Sequence, residues 1–220
     1  ADEIKAELKI KTEELVNTKG IQPCIALMLV GDNPSSKVYV NSKEKDCHDI
    51  GYKSIVLRLA SETTQDEVIK IIQNWNNDSS IHGILVQLPL PPHINETKVI
   101  STISPAKDVD GLHPANFGRL VIGIPGFLPC TPAGIMELLK RYNIATVGKH
   151  VVVLGRSNIV GKPIANLLYQ KNENANSIVT ICHTAAPDLR YYTKQADILV
   201  IAIGSPKIIK AEDVKEGVVI

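Results

Sequence analysis

Apolar runs alternate with stretches of helical spacing along most of this chain, and no other feature restricts its fold as strongly. Each run is short enough for a single strand, and turn-forming residues bound most of them. Strands that alternate with helices predict a parallel sheet with helices packed against it. The predicted fold class is therefore α/β. The strand candidates are CIALMLV (24–30), SIVLRL (54–59), HGILVQL (82–88), HVVVLG (150–155), SIVTIC (177–182) and DILVIAIG (197–204).

Several of the intervening helices have recognisable beginnings. A helix is predicted over 36–50. The next helix should begin after Thr64, which forms a capping box with Glu67. A later helix is predicted to begin with Thr131 as its N-cap and Pro132 at its first position.

The stretch from Gly111 to Thr131 is rich in glycine and proline, and it is the best candidate for a segment between two domains. We therefore predict an N-terminal α/β domain over 1–130 and a C-terminal Rossmann-like domain over 131–220. The final GVVI (217–220) resembles half of a buried strand. Because an unpaired core strand leaves backbone groups unsatisfied, we expect the chain to be part of a longer protein.

Charge and cysteine usage narrow the class of protein. The net charge of +1 gives no indication of a nucleic-acid or membrane surface, and no apolar run reaches the length of a membrane span. The four cysteines are scattered, at 24, 47, 130 and 182, with neither metal-ligand spacing nor a disulfide framework. We expect no metal, no nucleic-acid or membrane partner, and a reducing compartment such as the cytoplasm.

The strongest local motif is VVVLGRSNIVGKP, over 151–163. A strand ends at Gly155 and a helix begins near Gly161, which is the layout of a dinucleotide-binding turn. The pattern departs from G-x-G-x-x-G, because Ser157 replaces the middle glycine and the turn is one residue longer. An ordinary strand–turn–helix connection explains the motif alone about equally well.

The end of the following strand bears on the choice of dinucleotide. It reads Cys182-His183-Thr184, without the carboxylate that NAD-specific sites use to bind the ribose. Arg156 and Thr184 would suit the 2′-phosphate of NADP, although Arg156 without the neighbouring motif is more typical of a solvated surface. The adjacent Cys182 and His183 point to opposite sides of a strand, so they do not predict a metal site.

The N-terminal half carries five further candidates. Tyr39 and Lys43 lie four residues apart, so a helix places them on one face. Gln87 ends a strand, where ligands of parallel sheets bind. Asp108 and Asp110 stand in KDVDG. Taken one by one, these residues are more often a solvated helix face, a capping or edge glutamine and turn-forming aspartates.

Six segments, taken together and in order, resemble the bifunctional methylenetetrahydrofolate dehydrogenase/methenyltetrahydrofolate cyclohydrolases. The resemblance covers nearly the whole chain and is specific as a set, although no single segment is. The segments are VGDNPSSKVYVNSKEK, GILVQLPLP, PAKDVDGLHPANFGRL, PCTPAGIMELL, GRSNIVGKP and QADILVIAIG.

The resemblance implies a role for four of these five residues, and for the residues of the dinucleotide-binding turn. Lys43 would be the catalytic lysine, Tyr39 the aromatic that stacks on the folate, Gln87 the partner that holds the lysine, and Asp110 the carboxylate that binds the pterin. It further implies that NADP is the cofactor and that the enzyme is a homodimer whose folate site is completed beyond Ile220. The residues that would contact NADP are Gly155, Arg156, Ser157, Gly161 and Thr184.

The expected chemistry has two steps. A hydride leaves the folate methylene for nicotinamide, which requires mainly alignment of two flat ligands. Water then opens the methenyl ring, which requires a proton shuttle that Lys43 can supply. A dehydrogenase without the second activity and a non-catalytic nucleotide-binding module are the alternatives. The presence of Lys43 disfavours the first, and its combination with Gln87 and Asp110 disfavours the second.

Overall fold

A computed structural model describes residues 1–220 of the protein. The chain forms two compact units, Ala1–His113 and Pro114–Ile220. Each unit contains a three-stranded parallel sheet, which confirms the predicted two-domain α/β class. The contacts group residues 114–130 with the second unit, and the domain boundary at residue 130 stays a prediction.

The first unit is built on strands β1 (Cys24–Val30), β2 (Lys53–Leu59) and β3 (Gly83–Val86). Their order is β2-β1-β3, with β1 in the centre. Nearly every residue of β1 and β3 is buried, as expected where helices cover both faces of a parallel sheet.

Four helices accompany this sheet. The capping box predicted for the third of them is confirmed, because Thr64 and Glu67 each accept a hydrogen bond from the other's backbone N–H. Asn33 caps the second helix by accepting a bond of 3.1 Å from the N–H of Ser36. The helices are α1 (Asp2–Lys19), α2 (Pro34–Asp49), α3 (Gln65–Asn77) and α4 (Glu96–Thr102).

The second unit repeats the α/β plan with strands β4 (His150–Leu154), β5 (Ile178–Cys182) and β6 (Ile198–Ile201), in the order β5-β4-β6. Val219 forms a parallel bridge with Ile198, so the last residues begin to pair beside β6. The helices are α5 (Pro114–Ile122), α6 (Cys130–Arg141), α7 (Gly161–Leu168), α8 (Leu189–Thr193) and a 3-10 turn (Ala211–Asp213).

Two details differ from the sequence-based expectation. The glycine- and proline-rich stretch between the domains contains α5, which buries Asn116 and Leu120. Helix α6 begins at Cys130 with Pro129 as its N-cap, so the assignment of Thr131 as the N-cap was wrong. Pro129 and Pro132 both suit a first helical turn, and the turn composition did not distinguish between the two starts.

None of the helices combines the length and the apolar character that crossing a membrane requires.

Candidate active site

Lys43 and Gln87 are brought into contact in the first unit. Lys43 is half-buried, and its Nζ donates a hydrogen bond of 3.1 Å to Oε1 of Gln87. The Nε2 of Gln87 donates a bond of 2.8 Å to the carbonyl of Leu88. Because this second bond uses the amide NH₂, the amide oxygen is left to face the lysine. The lysine is therefore held by an uncharged partner.

Regular secondary structure positions both side chains. Gln87 directly follows β3, and its N–H still bonds to the carbonyl of Met28 in β1 at 2.8 Å. Lys43 lies in α2 between Val40 and Cys47, which are buried. Helical neighbours three and four residues apart share a face, so the buried side of α2 orients Lys43 toward the sheet.

Tyr39 lies one turn before Lys43 on α2. It is 61% exposed and its hydroxyl makes no hydrogen bond. The spacing of four residues places it beside Lys43 on the helix surface. An exposed aromatic ring in this position offers a flat apolar surface to a ligand.

Asp108 and Asp110 occupy different environments, although they are two residues apart. Asp108 is buried and accepts backbone hydrogen bonds from Leu112 and His113, at 3.3 and 2.9 Å. It also forms a parallel bridge with Ile84 of β3, which brings the loop to the same sheet edge as Gln87. The Asp110 carboxylate is half-buried and has no hydrogen bond or ion pair. Asp108 thus organises the loop, and Asp110 is available to a ligand.

The turn after β4 requires its two glycines for steric reasons. Gly155 has a φ of 114°, and a Cβ there would lie 2.2 Å from the carbonyl oxygen of Ala202. A Cβ on Gly161 would lie 2.3 Å from the carbonyl oxygen of Gly155. Both neighbours are backbone atoms, which cannot move aside as a flexible side chain does. The close strand–helix packing of a dinucleotide-binding turn is therefore present despite the altered spacing.

Ser157 explains that altered spacing. Its Oγ accepts hydrogen bonds from the N–H groups of Val160 and Gly161, at 3.1 and 3.2 Å. Its carbonyl accepts the N–H of Lys162 at 3.0 Å. Ser157 therefore satisfies the N–H groups of Val160, Gly161 and Lys162 at the start of α7. The serine hydroxyl still has its own proton, which it can donate to an anion.

Arg156, His183 and Thr184 present donors at the ends of β4 and β5. Arg156 is exposed, and its Nη1 lies 3.3 Å from Nε2 of His183. Thr184 is exposed as well. The first carboxylate after β5 is Asp188, which caps α8 by accepting the N–H of Arg190 at 2.9 Å. The donor set therefore suits a dianionic phosphate and lacks the acceptor that an unphosphorylated ribose prefers.

The neighbouring thiol does not take part in this donor set. Burial raises the pKa of the Cys182 thiol, which favours its neutral form. The sequence did not indicate His183 as the neighbour of Arg156, and it did not distinguish Asp108, the organiser of its loop, from Asp110. A buried aspartate in a turn and a histidine at a strand end carry no local signal that separates them from ordinary residues.

Known proteins resemble the chain in sequence over both of its units. Two family models match the chain, the tetrahydrofolate dehydrogenase/cyclohydrolase catalytic domain over residues 1–110 and the NAD(P)-binding domain of the same family over 129–220. The bifunctional protein FolD of Agathobacter rectalis is 54% identical over 218 residues, which cover 99% of this chain and 76% of that protein.

Solved structures give the same result. The crystal structure of the bifunctional FolD enzyme from Campylobacter jejuni is 49% identical with a TM-score of 0.94, over 99% of this chain and 76% of that one. The Trypanosoma brucei methylenetetrahydrofolate dehydrogenase-cyclohydrolase, solved with NADP and an inhibitor, is 35% identical with a TM-score of 0.91, over 97% and 72%. With both halves matched by the models of one family and its members this similar in sequence and fold, the chain belongs to the tetrahydrofolate dehydrogenase/cyclohydrolase family.

Proposed function

We propose that the protein is a bifunctional enzyme of one-carbon folate metabolism. It oxidises 5,10-methylenetetrahydrofolate to 5,10-methenyltetrahydrofolate with NADP, and it hydrolyses the product to 10-formyltetrahydrofolate. The observation that carries this proposal is the hydrogen bond between Lys43 and Gln87, since it places an ionisable amine, held by a neutral partner, at the sheet edge where the Asp110 loop also lies.

In this proposal the first unit binds the folate. Asp110 accepts two parallel hydrogen bonds from the pterin's ring N–H and amino group, for which its unpartnered carboxylate is suited. Tyr39 stacks on the flat ring system with its exposed face. These two contacts fix the orientation of the substrate relative to Lys43. Orientation of this kind is the main contribution a protein makes to hydride transfer.

Lys43 serves the second reaction. Water addition to the methenyl carbon releases a proton, and ring opening delivers a proton to a folate nitrogen. The Lys43 amine can carry that proton when it is aimed by Gln87. A carboxylate in place of Gln87 would attract the protonated amine by Coulomb forces and oppose the transfer. The neutral amide orients Lys43 without that attraction.

The second unit binds NADP, which accepts the hydride when it is bound. Arg156, Ser157 and Thr184 are the proposed contacts to its phosphate groups, and Gly155 and Gly161 permit the close approach of strand, turn and helix. Ser157 serves both the turn and the cofactor, because its oxygen accepts the N–H groups of Val160 and Gly161 while its own proton remains available to a phosphate.

We further infer that the enzyme is a homodimer and acts in the cytoplasm. The first inference is carried by family resemblance alone. The four free cysteines support the second, since unpaired thiols are typical of a reducing compartment. Light scattering on the purified protein tests the dimer by its mass.

The proposed function is tested by absorbance in two steps. NADPH must form when the purified protein receives methylenetetrahydrofolate and NADP, and supplied methenyltetrahydrofolate must then lose its absorbance faster than in buffer. NADPH formation without accelerated hydrolysis would indicate the dehydrogenase-only alternative. The absence of both would indicate a non-catalytic module.

A further inference from the structure

The imidazole of His183 faces two hydrogen-bond donors, one at each ring nitrogen. The N–H of Ala185 donates to Nδ1 at 3.2 Å. The guanidinium nitrogen Nη1 of Arg156 lies 3.3 Å from Nε2. Arginine has no acceptor atoms, so both neighbours can only donate.

A neutral imidazole cannot accept from both sides, because one of its nitrogens carries the ring proton. If Nδ1 accepts from Ala185, the proton is on Nε2 and points at the N–H of Arg156. If Nε2 accepts from Arg156, the proton is on Nδ1 and points at the N–H of Ala185. One donor therefore faces another donor in either tautomer.

The backbone contact decides between these tautomers. Ala185 lies two residues beyond His183 in the same turn, and that turn is also held by the N–H of Ala186 bonding to the His183 carbonyl at 2.9 Å. Arg156 has a long, exposed side chain and can move at little cost. The proton thus belongs on Nε2, so that His183 and Arg156 present two adjacent donors and no acceptor.

We infer that His183 is a specificity residue for the 2′-phosphate of the dinucleotide, and that its neutral Nε2–H donates to that phosphate beside Arg156. An anion between the two side chains accepts from both and removes the conflict between donors. The bond from Ala185 to Nδ1 stays intact. This inference rests on the proposed NADP-dependent function, and it adds His183 to the contacts assigned there.

Two substitutions of His183 distinguish the contribution of Nδ1 from that of Nε2. His183→Asn keeps a polar atom near the position of Nδ1 and removes the reach of Nε2. His183→Gln keeps an amide donor near the position of Nε2. The probes are adenosine 2′,5′-bisphosphate and adenosine 5′-monophosphate, which differ only in the 2′-phosphate, and calorimetry measures their binding without any turnover.

The asparagine variant should bind the bisphosphate about tenfold more weakly than wild type, as expected for one lost hydrogen bond to a charged group. The glutamine variant should stay within about threefold of wild type, and the monophosphate should bind all three proteins alike. Wild-type affinity in the asparagine variant, equal losses in both variants, or a loss that extends to the monophosphate would each overturn the inference.

A nitrogen NMR spectrum of the histidine rings gives an independent check. We expect the neutral His183 ring to carry its proton on Nε2 and to leave Nδ1 as the acceptor, before and after the bisphosphate binds. Protonation of Nδ1 in the complex would overturn the inference. A wild type that binds both nucleotides equally would instead refute the NADP assignment itself, so the two failures are distinguishable.

Discussion

Lys43 donates a hydrogen bond of 3.1 Å to Gln87, a residue 44 positions further along the chain, and the bond joins helix α2 to the end of strand β3. The partner is an amide whose NH₂ is already used by the carbonyl of Leu88. The amine is therefore oriented by a fixed, uncharged acceptor. The two reactions proposed for the enzyme should depend on this amine to different degrees.

Replacement of Lys43 by methionine should separate those reactions. Methionine keeps most of the stem and removes the amine, so proton transfer is lost while the packing of α2 is retained. Cyclohydrolase activity should fall by a factor of roughly 10² to 10⁴, whereas dehydrogenase activity falls much less and the methenyl intermediate accumulates. The absorbance of that intermediate provides the measurement.

The matched control is Lys45→Met, since Lys45 is an exposed lysine of the same helix. It should behave like wild type in both assays. Equal loss of both activities in Lys43→Met, with folate still bound, would show that Lys43 serves only the shared geometry.

Substitution of Asp110 should affect activity, whereas substitution of Asp108 should affect stability. Asp110→Asn should weaken folate binding and lower both activities together, because an amide cannot accept the two parallel hydrogen bonds of the pterin. NADP affinity and melting temperature should stay near wild type. Fluorescence titrations with folate and with NADP measure the two affinities. Normal kinetics with a lowered melting temperature would show that Asp110 is only a turn former.

Asp108→Asn should act on stability instead. Its carboxylate accepts two backbone N–H groups in a buried position, and an amide NH₂ cannot replace one of those acceptors. The free energy of unfolding should fall by about 1–3 kcal/mol, measured by urea denaturation. An unchanged unfolding curve would contradict the organising role assigned to this residue.

Arg156→Ala should reduce the preference for NADP over NAD. The loss of one charge-assisted contact should cost roughly 1.5–3 kcal/mol in kcat/KM with NADP and little with NAD. Wild type should favour NADP by at least about tenfold. The control is Lys162→Ala at the start of α7, whose amine is bonded to Asn158 at 2.7 Å and should not affect the ratio. Equal use of both dinucleotides by wild type would contradict the assignment of Arg156 to the 2′-phosphate.

Asp197 should make the second unit sensitive to acid. Hydrogen bonds from Lys215 and from the backbone N–H of His150 lower the pKa of this carboxyl below its ordinary value of 3.8. A carboxyl whose pKa is lower in the folded state stabilises the fold above the unfolded pKa, and this contribution is lost as pH falls through the folded pKa.

The melting temperature of Asp197→Asn should therefore be lower than that of wild type at neutral pH, and the difference should shrink on acidification below the ordinary pKa. Glu216→Gln, which removes an exposed carboxylate, is the control and should follow the wild-type curve. A difference that does not depend on pH would mean that Asp197 contributes through packing and not through its charge.

Local sequence patterns determined the elements whose causes are themselves local. The capping box joins Thr64 to Glu67, three positions further on, and the steric need for Gly161 comes from the backbone of Gly155 in the same turn. Strand and helix periodicity likewise predicted the α/β class. Such features can be predicted from the sequence because the interactions that produce them join residues that are close in the chain.

Tertiary structure decided what depends on distant contacts. Asp108 and Asp110 are chemically identical in KDVDG, and only burial beside β3 makes one a loop organiser and leaves the other free. Helix α5 was hidden by its glycine- and proline-rich surroundings, because the burial of Leu120 is not a local property. The contact of Arg156 with His183 joins residues 27 positions apart, and no spacing rule predicts it. Side chains brought together by the packing of separate elements follow from the fold, whereas the elements themselves follow from the sequence.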